Sequence, residues 1–148
     1  MRDKDIAMTL IDLGEVDGAS AINRRALRRL TREAISVDMN VKVVPDIERS
    51  LLSVLVSCSY RAVIGLIRER LLVCTAVATF EVEGLASLIE ENGQEKILPT
   101  PLMMNMLGIA VGALRGIVAV RTADTSLRRR PLPIIDLDTL MRRLSNSR

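Results

Sequence analysis

Aromatic side chains are almost missing from this sequence: Tyr60 and Phe80 stand alone, and there is no Trp. The core must therefore be aliphatic, built from Leu, Ile, Val, Met and Ala. Histidine is absent altogether. That removes the commonest general base, the Ser-His triads and the commonest metal ligand. Two cysteines, Cys58 and Cys74, are too few for a Cys-rich zinc site or a dense disulfide scaffold. No phosphate loop, dinucleotide fingerprint or nucleophile elbow is present. These absences argue against most enzyme classes and against a resident metal or cofactor. The expectation is a non-enzyme with no catalytic residues.

What is present is ordinary for a soluble domain. The 148 residues are 49% apolar and 26% charged, which fits a single domain with a core of its own. Lys+Arg is 21 against 18 Asp+Glu, a formal charge of +3. The basic residues are mostly Arg, clustered at Arg24, Arg25, Arg28, Arg29 and Arg32, at Arg128–Arg130, and at Arg142, Arg143 and Arg148. Such clusters meet phosphates or acidic partners, or simply form a solvated helix face and a basic loop. The solvated reading is preferred. Nucleic acid is not an expected partner, because stacking aromatics and known binding motifs are missing. The first residues, Met1-Arg2-Asp3-Lys4-Asp5, are charged and open no secretory apolar region. A cytoplasmic protein with reduced thiols is expected.

The hydrophobic period places the elements. Ile6–Leu13 is a short apolar-rich run ended by Gly14 and Asp17-Gly18, and reads as a first strand. Ser20 is placed to cap a short helix with Ile22, Ala26, Leu27 and Leu30 on one face. Then the period becomes two. Ile35, Val37, Met39, Val41 and Val43 alternate with polar residues, and Pro45-Asp46 starts a turn. Leu52, Val54, Val56, Cys58 and Tyr60 alternate in the same way, as do Leu72, Cys74, Ala76, Ala78, Phe80 and Val82. Gly65 and Arg68-Glu69-Arg70 mark the connection between these two runs. Short links predict an antiparallel meander. Cys58 and Cys74 fall on apolar faces of neighbouring strands, where core packing is their expected role. Glu81 and Glu83 read as the solvent face of the last strand rather than an acid–base pair.

After Glu83 the period turns helical. Residues 90–96 form a polar break, with Thr100 placed as an N-cap and Pro101 at the first helical position. Leu98–Val120 is almost wholly apolar and long enough to span a bilayer. Gly108, Gly112 and Gly116 are spaced four apart, as in closely packed membrane helices. Against insertion stand Arg115, Asn105, two prolines and an upstream sheet that needs a cover. The preferred reading is a helix buried all round between its own sheet and another subunit, with the glycines at an oligomer interface. A membrane-associated or structural interaction protein using residues 98–120 is the alternative. Asp124–Arg130 is a polar, basic loop. Pro131 and Pro133 then lead to a last helix starting near Asp136 or Asp138, with acids first and Arg142 and Arg143 towards its end. Strands first and helices last is an α+β order. The expected fold is a four-stranded antiparallel sheet over about residues 5–83, with two C-terminal helices at about 100–121 and 136–145.

Four stretches carry a resemblance to a known family. They are Val37-Asp38-Met39-Asn40-Val41, Phe80-Glu81-Val82-Glu83-Gly84-Leu85, Leu98-Pro99-Thr100-Pro101-Leu102-Met103 and Ile135-Asp136-Leu137-Asp138-Thr139-Leu140-Met141. In pattern and order the chain resembles the SecB-type protein-export chaperones. The resemblance implies an ATP-independent holding chaperone for non-native polypeptide, serving export or a toxin–antitoxin pair. It implies a homotetramer built as a dimer of dimers, with no stable membrane insertion. It places a polypeptide-binding groove along Val37, Met39 and Val41, lined by Leu137, Leu140 and Met141. Glu81 and Glu83 would meet a translocation partner such as the SecA motor; a cognate toxin is the other expected partner class. The Arg24–Arg32 segment has no counterpart in the family, and the chain is basic where the family is usually acidic.

Overall fold

The computed structural model describes residues 7–18, 20–29, 34–91 and 99–146. Ile6, Leu30, Arg32, Leu98 and Arg148, named above, lie outside them, as does most of the polar break. One antiparallel sheet contains β1 (Met8–Glu15), β2 (Ala21–Ile22), β3 (Ala34–Asp46), β4 (Leu51–Ile64) and β5 (Ile67–Val82). Short helices α1 (Arg24–Arg29) and α2 (Leu85–Glu91) flank it. The long α3 (Thr100–Thr122), a 3-10 turn (Ser126–Arg129) and α4 (Leu137–Asn146) follow. The α+β order stands. The sheet has a fifth strand, the two-residue β2, because Ala21 and Ile22 pair with Val73 and Leu72 before α1 begins.

The three alternating runs form the expected meander, and β1 returns to the far side, giving the order β1-β5-β4-β3. The β4–β5 hairpin is longer than expected. Arg68–Arg70 belong to β5 rather than to a loop, since Arg61, Ala62 and Val63 pair with Arg70, Glu69 and Arg68. The apolar alternation fades there, but backbone hydrogen bonds continue the ladder through a register shift after Tyr60. The turn itself is Gly65-Leu66, between the paired Ile64 and Ile67. Gly65 has φ of 61°, the positive value that a two-residue hairpin needs at its first position.

Register decides which face is apolar. Val37 pairs with Tyr60 and Tyr60 with Leu72; Met39 pairs with Cys58 and Cys58 with Cys74. These rows face the helices, and Tyr60, Leu72, Cys58, Cys74, Ala76, Ala78 and Phe80 are all buried. The two thiols are free and opposite each other in the core, as expected. Hydrogen bonding to Cys74 and burial push the Cys58 thiol well above its usual range. The other face carries Ser53, Ser57, Thr75 and Thr79 with Leu55 and Val77, all half-buried.

Helix α3 lies across β4 and β5 and buries Met103, Met106, Leu107, Ala110, Val111, Leu114, Val118 and Thr122. Spaced three and four apart, these residues cover one side only. Ile109, Gly112, Gly116, Ala119 and Val120 face outward, and Val120 is 77% exposed. The helix is apolar all round by sequence but buried on one side by this chain alone. Its start also differs from the expected cap: Thr100 is the first helical residue and Pro99 holds the cap position. Its far end is tied to β1. Arg121 grips both carboxylate oxygens of Glu15, and the Ser20 hydroxyl donates to the same carboxylate at 2.8 Å. Arg121 holds the Glu15 carboxyl below the ordinary glutamate value. Ser20 is thus not the cap of α1; Asn23 is, its Oδ1 accepting the Ala26 N–H at 3.0 Å.

Candidate functional site

The stretch before α4 is built to hold that helix against β3. Pro131 and Pro133 restrict the backbone and supply no N–H. Leu132 between them is buried. The Tyr60 hydroxyl donates to the Arg130 carbonyl at 2.9 Å, and an Arg115 guanidinium nitrogen donates to the Pro133 carbonyl at 3.1 Å. Burial pushes the Tyr60 phenol up to about 12, with the two thiols adding to it, so it stays a donor at neutral pH. Asp136 caps α4: one carboxylate oxygen accepts the Asp138 N–H at 3.1 Å, the other the Thr139 hydroxyl at 3.0 Å. This is the expected start of the helix.

Between β3 and α4 the surface opens into a cavity of about 180 Å³, lined by Val37, Met39, Pro133, Ile135, Asp136, Thr139 and Leu140. That is below the roughly 300–1,000 Å³ of small-molecule pockets. It suits one or two apolar side chains of a longer ligand whose backbone continues outside. Asp136 and Thr139 supply a polar rim on an otherwise aliphatic lining. Beside it runs β3, which ends the sheet order. An edge strand offers alternate backbone groups to an added strand.

The structure brings together only part of the sequence-derived groove. Val37, Met39 and Leu140 meet at the cavity. Leu140 is 2% exposed and Val41 is 9% exposed, so their bulk belongs to the core. Leu137 and Met141 are half-buried beside that core and do not line the cavity. Leu137 instead packs towards α3, where a Cβ placed on Gly108 would lie 3.7 Å from its Cδ1. Pro133, Ile135 and Thr139 were not expected as lining residues. The sequence signal for them is the proline pair just ahead of the helix.

The remaining candidates lie elsewhere. Gly112 and Gly116 face outward with open space at their Cβ positions, while Gly108 sits under α4. Glu81 is exposed on the sheet face opposite to that of Phe80, paired in register with Thr9 and Leu51. Glu83 follows the last residue of β5, and its N–H donates to the Ala7 carbonyl at 3.0 Å. Both glutamates are exposed at one end of the sheet, on either side of the buried Val82. Among the described residues, no group of three or more Cys, Asp or Glu side chains is placed to hold a metal ion.

No family model matches the sequence, and no curated protein is similar to it. A solved structure is. The chain resembles the Mycobacterium tuberculosis SecB-like chaperone Rv1957, determined with a ChAD peptide from the Rv1956 HigA1 antitoxin. The TM-score is 0.50 at 14% identity, covering 87% of this chain and 91% of that one. At that identity the likeness is one of fold, and the fold of this chain is SecB-like.

Proposed function

We propose that this SecB-like chain is an ATP-independent holding chaperone that takes an extended, non-native polypeptide along β3 and α4. The observation that carries the reading is the small apolar cavity beside β3, the last strand in the sheet order. Side chains of a client enter the cavity and its backbone runs along the edge. Capture then rests on reversible burial of apolar surface, worth roughly 25 cal/mol per Å². Aliphatic and Met walls adapt to different side chains. The similar solved structure, a chaperone with an antitoxin peptide, favours a dedicated toxin–antitoxin client over an exported precursor. Glu81 and Glu83, near one end of the sheet, are the positions for contact with a translocation motor in the export reading. The chain acts in the cytoplasm and without catalysis.

A direct test dilutes a chemically denatured, aggregation-prone protein into buffer holding the chain, without nucleotide. Light scattering should stay near baseline at about stoichiometric chaperone. Aggregation that proceeds unchanged refutes the proposal.

The same reading includes a homotetramer in which the outward side of α3 meets another copy. That helix is long and apolar enough to cross a membrane. Insertion would, however, strip eight buried side chains from the sheet. Covering its outer half with a second subunit leaves the core in place. Gly112→Leu separates the effects. In the single chain the site is open, and replacing a helical Gly should stabilise the helix by up to about 1 kcal/mol. In an assembly the added side chain keeps two helices apart. The variant is expected to be smaller by light scattering yet no less stable. A wild-type chain that is monomeric at micromolar concentration would refute the assembly.

A further inference from the structure

Two arginine clusters a hundred residues apart in sequence meet in the fold. Arg24 Nη1 and Asp124 Oδ2 are 2.9 Å apart, which sets α1 beside the end of α3. Asp124 lines a shallow hollow of about 380 Å³ with Thr125, Ser126, Arg128 and Arg129. Helix α1 buries Ala26 and Leu27, so Arg24, Arg25, Arg28 and Arg29 must take its outer side. Arg28 lies one turn from Arg24 and shares its side.

Few of these cations are neutralised. Arg29 reaches Glu69 at 3.2 Å on the opposite flank, and Arg24 takes Asp124. Arg25, Arg28, Arg128 and Arg129 are exposed and have no carboxylate partner among the described residues. Like charges gathered without partners repel one another, so an anion at this surface is favoured on two counts.

The surface lies close to the groove. Arg130 follows the turn that carries Arg128 and Arg129, and its carbonyl takes the Tyr60 hydroxyl. Tyr60 pairs with Val37, which lines the cavity, and paired strands lie about 4.8 Å apart. From Arg130 the chain reaches Pro133, another lining residue, in three steps, at most about 10 Å.

We infer that the preferred client carries an acidic stretch next to its apolar segment: the segment enters the groove and the Asp and Glu flank lies on the arginines. This rests on the groove reading above. A polypeptide is favoured over a nucleic acid because both aromatic side chains, Tyr60 and Phe80, are fully buried. No aromatic platform is left at the surface on which bases could stack.

The test uses fluorescent peptides sharing one Leu/Val/Ile segment and differing in a flank of Asp/Glu, Ser/Gly or Lys. At about 50 mM salt the acidic-flanked peptide should bind about tenfold tighter than the Ser/Gly one, and the Lys-flanked one more weakly than either. The gap should shrink to about twofold near 0.5 M salt, where exposed charges are screened. The double variant Arg128→Glu/Arg129→Glu should abolish it while leaving the Ser/Gly peptide's affinity unchanged. Equal binding of acidic and Ser/Gly peptides overturns this inference alone. A gap that survives the double variant also overturns it, as does tighter binding of a thymidine oligonucleotide than of the acidic peptide. A Ser/Gly peptide that does not bind at all fails the groove reading instead.

Discussion

Phe80→Ala is expected to lower the unfolding free energy by about 3–5 kcal/mol. Phe80 is 0% exposed and stands on the inner face of β5, opposite Leu10 on β1 and Leu52 on β4. It therefore joins three strands within the core. The chain has one Phe, one Tyr and no Trp, so no neighbouring ring can swing in to fill the space. Aliphatic side chains on ladder-bound strands collapse into a cavity only partly, and the cost is transfer plus residual void. Against a typical total of 5–15 kcal/mol, a loss of this size leaves the sheet marginal. Urea denaturation of the variant measures it. Phe80→Leu keeps most of the volume and should cost under about 1.5 kcal/mol. A change below about 1 kcal/mol for the Ala variant would mean that the packing around Phe80 is loose.

Two Asp substitutions facing the same cavity should weaken client binding for different reasons. Leu140 is 2% exposed, so Leu140→Asp removes a core side chain and leaves a carboxyl where water does not reach. Losing the aliphatic bulk alone costs about 2–5 kcal/mol, and an unpaired buried carboxylate adds more. Asp136 sits one turn earlier on the same side of α4 and repels the new charge. The expected result is that α4 detaches from β3, read as fast hydrogen exchange across residues 137–146. Loss of client binding then follows from loss of the groove. Met39 is half-buried at the cavity wall, so Met39→Asp leaves its carboxylate hydrated. That variant should keep α4 protected while weakening capture of an apolar peptide about tenfold, the scale of one well-buried side-chain contact. If Leu140→Asp keeps α4 protected and only binding falls, Leu140 is a groove wall and not core. If Met39→Asp binds like the wild type, the groove is not the client site.

How much of this was legible in the sequence differs element by element. Residues 35–43, 52–60 and 72–82 alternate so regularly that strand identity and inner face follow from the two-residue period. The apolar run through Val120 and the Asp136 cap gave the helices, and both cysteines fell where the pattern placed them. The lining of the cavity was partly legible. Val37, Met39 and Leu140 are at the cavity, but Val41, Leu137 and Met141 are apolar residues of the same pattern and serve packing instead. Pattern marks a side chain as apolar; it does not say whether a neighbour closes over it.

Local order and chemical character were thus determined by the sequence alone: strands before helices, an aliphatic core, no histidine chemistry, and two arginine clusters. The tertiary structure decided everything that depends on which distant segments meet. It put β1 beside β5, gave Glu15 to Arg121 rather than leaving it at a strand end, and turned Gly112 and Gly116 outward. It also joined Arg24 to Asp124, which lines a hollow with Arg128 and Arg129, and so brought the two arginine clusters together. The physical reason is that backbone periodicity is set by a residue and its near neighbours. Burial and charge pairing depend on contacts between segments up to about a hundred residues apart, which only the closed sheet and its packed helices bring together.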